Sequence, residues 1–268
     1  YLSKFLFLAF GYLLYFFQNS KKYFMIPFVF LLLVFLCIFV TGERMAFILT
    51  SFGILLVALF NIKYIKYFLG LIICISFISI TIILNFEHVK NRVFNTTLQV
   101  IGLNFVNGKI EKFEYNFLDS HYGAHYLTAY EIFKENKYFG SGPKTFRIVC
   151  SNDDYSKLDS FNIFQRCSTH PHNYYFQMIS EVGIIGIFLF LISFTLAIRY
   201  FIKNLDLRNP LCNCSLISLL LFLWPIQSTG SILNNWYGSF PYYYLALLFI
   251  LIFKIRSIQS ISRPSSRI

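Results

Sequence analysis

Apolar residues run almost unbroken through seven stretches: 2–18, 23–40, 45–60, 64–84, 174–198, 211–224 (reaching toward 228) and 242–253. Continuous runs of this kind, unlike the one-sided stripe of a surface helix, mark segments that cross a bilayer. The last two are short, so one is expected to be tilted, broken or longer than drawn. Between the fourth and fifth runs lies a polar stretch, 86–172. Within it, 124–134 carries apolar residues at Leu127, Tyr130 and Phe133, the spacing of an amphipathic helix. Gly140-Ser141-Gly142-Pro143 then supplies residues that stop a helix. No strand alternation or internal repeat is apparent. The pattern predicts an all-α fold, a polytopic transmembrane helix bundle with a small, mainly helical external cap between spans 4 and 5. Its parts are four spans over 1–85, an external domain over 86–172, three spans over 173–255 and a basic tail over 256–268.

Composition strengthens the membrane reading. The 268 residues are 57% hydrophobic and only 13% charged, against about a quarter charged in soluble domains. A formal charge of +11 raises the question of nucleic acid, but its placement answers it. The stretch 86–170 is nearly neutral, and the surplus lies in short loops between apolar runs. Lys21, Lys22, Lys63, Lys66, Arg199, Lys203, Arg208, Lys254, Arg256, Arg263 and Arg267 all fall on one side of the predicted bundle. The positive-inside rule makes that side cytoplasmic and 86–170 external. The chain opens on Tyr1 in apolar sequence, so upstream residues are expected, and there is no signal-peptide pattern to interpret.

All five histidines, His88, His121, His125, His170 and His172, lie between the fourth and fifth spans. His172 is best placed for chemistry, because it opens a membrane helix on the external side and imidazole exchanges protons near neutral pH. Gly183 and Gly186 follow about three turns later on a helical period, which predicts an open groove beneath the imidazole for another helix or a lipid chain. The first amides of that helix offer positive potential beside His172. Glu181 points the other way and reads as a structural polar contact. Alone, such a histidine reads as interfacial and the glycines as packing. Arg44 changes the balance. It lies in the external turn Thr41-Gly42-Glu43-Arg44, either snorkelling beside Glu43 or placed for an anionic ligand.

Four histidines raise the question of zinc, but no His-Glu-x-x-His pattern is present. The run from Gly140 to Thr145 lacks the spacing of a phosphate loop and reads as a turn. Cys150 and Cys167 are the two cysteines of the external stretch and are expected to close a disulfide around 151–166. Cys37, Cys74, Cys212 and Cys214 read as small apolar residues.

His172-Asn173, a nine-residue gap and Gly183-x-x-Gly186 resemble the signature of the O-antigen ligases, within a wider superfamily of ligases and polymerases. The Thr41–Arg44 turn and Phe139-Gly140-Ser141-Gly142 agree in order and side. The resemblance implies a bacterial inner-membrane, multi-pass glycosyltransferase with its active site facing the periplasm. It also implies that the chain is the C-terminal part of such a protein. The donor would be an undecaprenyl-pyrophosphate-linked glycan and the acceptor a lipid A core sugar or another glycan. Membrane lipids would be partners, nucleic acid would not, and no metal or other cofactor would be needed. His172 would be the catalytic base and Arg44 a pyrophosphate ligand. The chain departs from the family in lacking an arginine before the Gly140-Ser141-Gly142 turn, where His121, His125 or Arg147 would have to serve. A polysaccharide polymerase or a protein O-oligosaccharyltransferase of the same superfamily remains open. A lipid-glycan flippase or transporter would be polytopic and basic too, but would place its ionisable groups at mid-span.

Overall fold

The computed structural model describes residues 2–100, 103–106, 109–112, 120–152, 155 and 166–261. The elements in chain order are α1 (Leu2–Phe17), α2 (Ile26–Val40), α3 (Arg44–Phe60), α4 (Ile65–Asn85), α5 (Glu87–Val89), α6 (Thr96–Val100), α7 (His121–Glu135), α8 (Phe146–Val149), α9 (Tyr174–Asn204), α10 (Pro210–Phe222), α11 (Asn235–Gly238) and α12 (Phe240–Ile261). A 3₁₀ turn precedes α4, and a π-helical turn, Lys90–Asn95, follows α5. Every predicted apolar run coincides with a helix. Three stretches, Ile62–Asn85, Tyr174–Asn204 and Asn235–Lys254, are long and apolar enough to cross a membrane. Leu2–Phe17, Ile26–Val40, Arg44–Phe60 and Pro210–Phe222 are apolar but shorter. The protein is therefore an all-α membrane bundle. Much of the 151–166 loop and of the expected basic tail lies outside the described residues.

One feature of the polar stretch departs from the all-helical expectation. Leu103–Val106 and Lys109–Lys112 form a two-stranded antiparallel hairpin, with Val106 opposite Lys109. The signal available in the sequence was Asn107-Gly108 between two short runs, a pair that favours tight hairpins.

The chain divides into two compact units. The first comprises Tyr1–Val93, Ala197–Leu223 and Pro241–Ile268. Here α1 lies between α2, α3 and α10. Phe10, Phe28 and Phe68 meet edge to face at 5.3–5.9 Å between centroids, an arrangement favoured by ring quadrupoles. Gly11 leaves room for Cys214, and Gly53 for Phe7 and Leu221, so the helices approach closely. Asn61 and Asn213, both buried, exchange reciprocal amide bonds of 3.1 and 3.2 Å. Buried Lys4 donates to the carbonyl of Leu221 in the last turn of α10.

The second unit comprises Phe94–Leu196 and Trp224–Phe240. Ser120 caps α7 by accepting from the Gly123 amide at 3.1 Å. The face of α7 that is buried is His125, Thr128, Ala129 and Ile132, not the Leu127–Tyr130–Phe133 stripe expected from hydrophobicity. Spacing i, i+3, i+4, i+7 is preserved, but the inward face carries a histidine and a threonine. Ala129 and Ile132 pack with Phe146, Cys150 and Tyr155 in a small apolar cluster.

Candidate functional site

His172 stands outside the helix it was expected to open. Its φ is 56°, a left-handed conformation that costs a non-glycine residue about 1–2 kcal/mol. A hydrogen bond of 2.7 Å from the Thr229 amide to its carbonyl helps to hold it there. Asn173 is the N-cap of α9: its Oδ1 accepts from the amides of Tyr175 and Phe176 at 2.9 and 3.3 Å. These amides, offered to an anion in the sequence reading, are engaged by Asn173. The Asn173 amide nitrogen donates to Pro225 O at 2.8 Å and Gln227 O at 3.4 Å. Two successive residues thus strap the 224–240 loop beside the imidazole.

Around His172 the structure gathers four more groups. Ser168 Oγ is 3.0 Å from its Nε2. The His170 ring lies 4.5 Å away by centroid, and the buried His125 ring stacks at 5.4 Å. Tyr122 approaches edge-on at 5.9 Å. Two tautomers follow from the partners, since a carbonyl can only accept. His170 Nε2 faces Thr229 O at 3.0 Å and must carry a proton, as must His125 Nδ1, 3.2 Å from Arg166 O. Tyr126 stacks on Phe176, with centroids 4.5 Å apart. Burial raises its hydroxyl pKa above the ordinary tyrosine value; a hydrogen bond with Asn173 opposes the rise and nearby Tyr122 adds to it. Tyr126 is therefore a neutral hydroxyl at physiological pH.

The expected groove at Gly183 is filled by backbone. Gly183 has φ 68°, ψ −171° and interrupts α9. The amides of Ile184 and Ile185 turn to the carbonyls of Lys137 and Tyr138, while the carbonyls of Ser180 and Glu181 accept from the amides of Ser141 and Gly142. A Cβ at Gly183 would strike Tyr138 and Gly140, and one at Gly140 would strike Glu181 and Val182. The two glycines are the surfaces through which the 137–142 turn is knitted into a broken helix. Gly142 has φ 111°, and a Cβ there would meet Thr145. Gly186 faces only Val182 of its own helix at close range.

Glu181 is fully buried. It accepts from the amides of Lys144 and Phe146 at 3.1 and 3.0 Å and from the Gln177 side chain at 2.9 Å. Gln177 continues the network, donating to Ser231 Oγ at 2.7 Å and accepting from the Ile232 amide at 3.1 Å. Asn173, Gln177 and Glu181 thus form an i, i+4, i+8 polar ladder along one face of α9. Cys150 and Cys167 are joined in a disulfide, with Cα atoms 5.4 Å apart. Buried Arg166 donates to the carbonyls of Cys150 and Asn152 at 2.9 and 3.2 Å. His121 is the first residue of α7, and Arg147 is exposed on α8.

In the first unit, Arg44 opens α3 half-buried. The preceding Gly42 is covered by Arg92: a Cβ there would lie 3.1 Å from Arg92 Cβ and Cδ. Arg92 Nη1 reaches Thr41 O at 3.5 Å. In the same unit an apolar cavity of about 460 Å³ is lined by Phe35, Phe39, Phe47, Ser51, Ile80 and Val93 among others. Arg44, Phe47, Ser51 and Ile54 are spaced i, i+3, i+7, i+10, so the cation lies on the helix stripe that forms the cavity wall. Val93 ties the cavity to Arg92. Ser79, also in the lining, has a buried hydroxyl with no partner.

Among the described residues, no three His, Cys, Asp or Glu side chains are arranged to hold a metal. Sequence reasoning missed Arg92, Gln177, Ser168 and Thr229. Only Gln177 left a local signal, a polar residue four from Asn173 and four from Glu181 in an apolar run.

The protein is thus a helical membrane bundle with three imidazoles clustered in one unit and an apolar cavity in the other. A family model described as O-antigen ligase matches residues 28–191, more than half of the chain, and the chain belongs to that family. No curated protein and no solved structure matches it. It is thus a membrane enzyme of the O-antigen ligase and polymerase type, with glycan and lipid-linked substrates.

Proposed function

We propose that the protein transfers a glycan from undecaprenyl pyrophosphate to a lipid A core sugar hydroxyl on the periplasmic face of a bacterial inner membrane. The observation that carries this reading is the held imidazole: His172 sits in a left-handed conformation among His125, His170 and Ser168. Strained residues that the surroundings over-determine are a mark of functional sites.

In the step itself, the acceptor oxygen attacks the anomeric carbon and its proton passes to His172 Nε2. The bond from that carbon to the pyrophosphate oxygen breaks, and its electron pair leaves with the pyrophosphate. A single displacement inverts the anomeric configuration. A sugar hydroxyl is a poor nucleophile, so a positioned base accelerates attack by about 10²–10⁴-fold. The leaving group needs cations more than an acid. Arg44, which follows the Thr41–Gly42 turn, and Arg92, which covers it, are forked donors that suit a diphosphate, and the apolar cavity of the same unit suits the first isoprene units of its carrier. Arg92 then takes the part that the sequence had left to His121, His125 or Arg147.

The test uses purified protein in lipid nanodiscs with an undecaprenyl-pyrophosphate glycan and a chelator. Lipid A core, a second lipid-linked glycan and a serine-containing peptide are offered as separate acceptors. Glycosylation of the lipid A core, lost in His172→Ala, is the expected outcome. Transfer only to the second glycan would make the protein a polymerase, and transfer surviving in His172→Ala would remove His172 as base. Arg44→Lys and Arg92→Ala are expected to raise KM for the donor several-fold, because a point charge or a methyl group cannot replace a fork.

A further inference from the structure

We propose that the turn 137–144 and the start of α8 form a membrane-seating rim. In this reading Tyr138, Phe139 and Ile148 enter the acyl boundary of the adjoining leaflet, and Lys137, Lys144 and Arg147 hold anionic lipid headgroups. The first ground is exposure. Tyr138, Phe139 and Ile148, all within the same short segment, are 69%, 76% and 67% exposed, more large apolar surface than a water-facing cap leaves open.

The second ground is where the turn is fastened. Its backbone is bonded to α9 at the Gly183 break, and α9 changes character there. Before the break, Gln177, Ser180 and Glu181 are buried and bonded to the cap and the 224–240 loop. After it, Ile184, Ile185, Phe188 and Leu189 are exposed, as lipid-facing residues are. Length decides how much of α9 is in lipid. All 31 residues would span about 46 Å, well beyond a hydrocarbon core of about 30 Å. Residues 184–202 alone span about 28 Å, with Arg199 in the last turn able to snorkel. The acyl boundary therefore falls near Gly183, level with Tyr138 and Phe139.

Charge supplies the third ground. Lys137, Lys144 and Arg147 are exposed within the same segment. Among the described residues of the flanking helix the carboxylates are engaged: Glu131 pairs with Lys134 at 2.6 Å, and Glu135 accepts from Tyr155 Oη at 2.5 Å. Basic side chains flanking aromatic ones are what an anionic membrane surface attracts. The rim would also fix the height of His172, because the nine residues of α9 before Gly183 raise the imidazole about 13 Å above the boundary.

The test is photocrosslinking in the full-length protein in its native membrane. A benzoyl-phenylalanine replaces Phe139, with Phe188 as the lipid-facing control and Tyr130 as the water-facing one. We expect phospholipid adducts at 139 comparable to those at 188 and absent from 130. Adducts at 139 to protein alone, or none while 188 labels, would overturn the rim. The adducts at 139 should also be enriched in anionic phospholipid, and the triple change Lys137→Gln, Lys144→Gln, Arg147→Gln should return them to bulk composition. Unchanged enrichment in that variant would overturn the headgroup role. Both readouts are independent of glycan transfer, so they stand or fall apart from the proposed activity.

Discussion

In the unit formed by 1–93, 197–223 and 241–268, helices meet through rings, small residues and one reciprocal amide pair. In the unit formed by 94–196 and 224–240, they meet loops through backbone amides and carbonyls, with side chains of α9 serving as straps. The two glycine sets state the difference. Gly53 makes room for the side chains of Phe7 and Leu221, which can rotate away. Gly140 makes room for the backbone of Glu181 and Val182, and Gly183 for that of Tyr138 and Gly140, which cannot. Apolar side-chain packing can be re-formed in several ways and tolerates exchange. A backbone-bonded junction has one geometry, which is what a proton acceptor working at hydrogen-bond distance requires.

That contrast can be broken most sharply at His172. His172→Ala is expected to lower transfer by about 10²–10⁴-fold while leaving insertion and protease resistance unchanged. Equal loss of protease resistance would mean that the residue is structural. Next, Gly183→Val is expected to cost about 3 kcal/mol or more through φ strain and collision, whereas Gly53→Ala should cost less. Limited proteolysis across a denaturant series measures both, and a milder effect at Gly183 than at Gly53 would reverse the contrast. In the first unit Asn61→Leu should cost about 1–3 kcal/mol by stranding Asn213, and Asn61→Leu with Asn213→Leu should recover most of it. Recovery failing in the double variant would show that the pair does more than satisfy itself. Smallest is Asn173→Ala, about 1 kcal/mol for the lost cap, with no second substitution able to restore it because the groups it caps and straps are backbone. A side-chain rescue at 225 or 227 would contradict that.

The apolar helices were legible because the cost of placing a residue in lipid is paid locally and shows in any window of sequence. His172, Asn173 and the glycines were legible as a pattern, and Arg44 by the side of the membrane that the loop charges predict for it. Their duties were less so. A groove beneath His172 followed from continuing one helix through 172–186, but His172 precedes the helix and Gly183 breaks it. Arg92 lies 51 positions from the carbonyl it reaches, and Asn173 lies 52 from Pro225. No local window contains such pairs.

By itself the sequence determined the class of protein, the positions of its apolar helices, and the His-Asn pair on which the family resemblance rests. Those depend on transfer energies and short spacings, which neighbouring residues already settle. Only the tertiary structure decided how His172 is held, that the 137–142 turn closes on the break in α9 at Gly183, and that Arg92 stands over the Thr41–Gly42 turn. Each depends on a backbone conformation or a long-range contact, whose free energy exists only once distant segments have met.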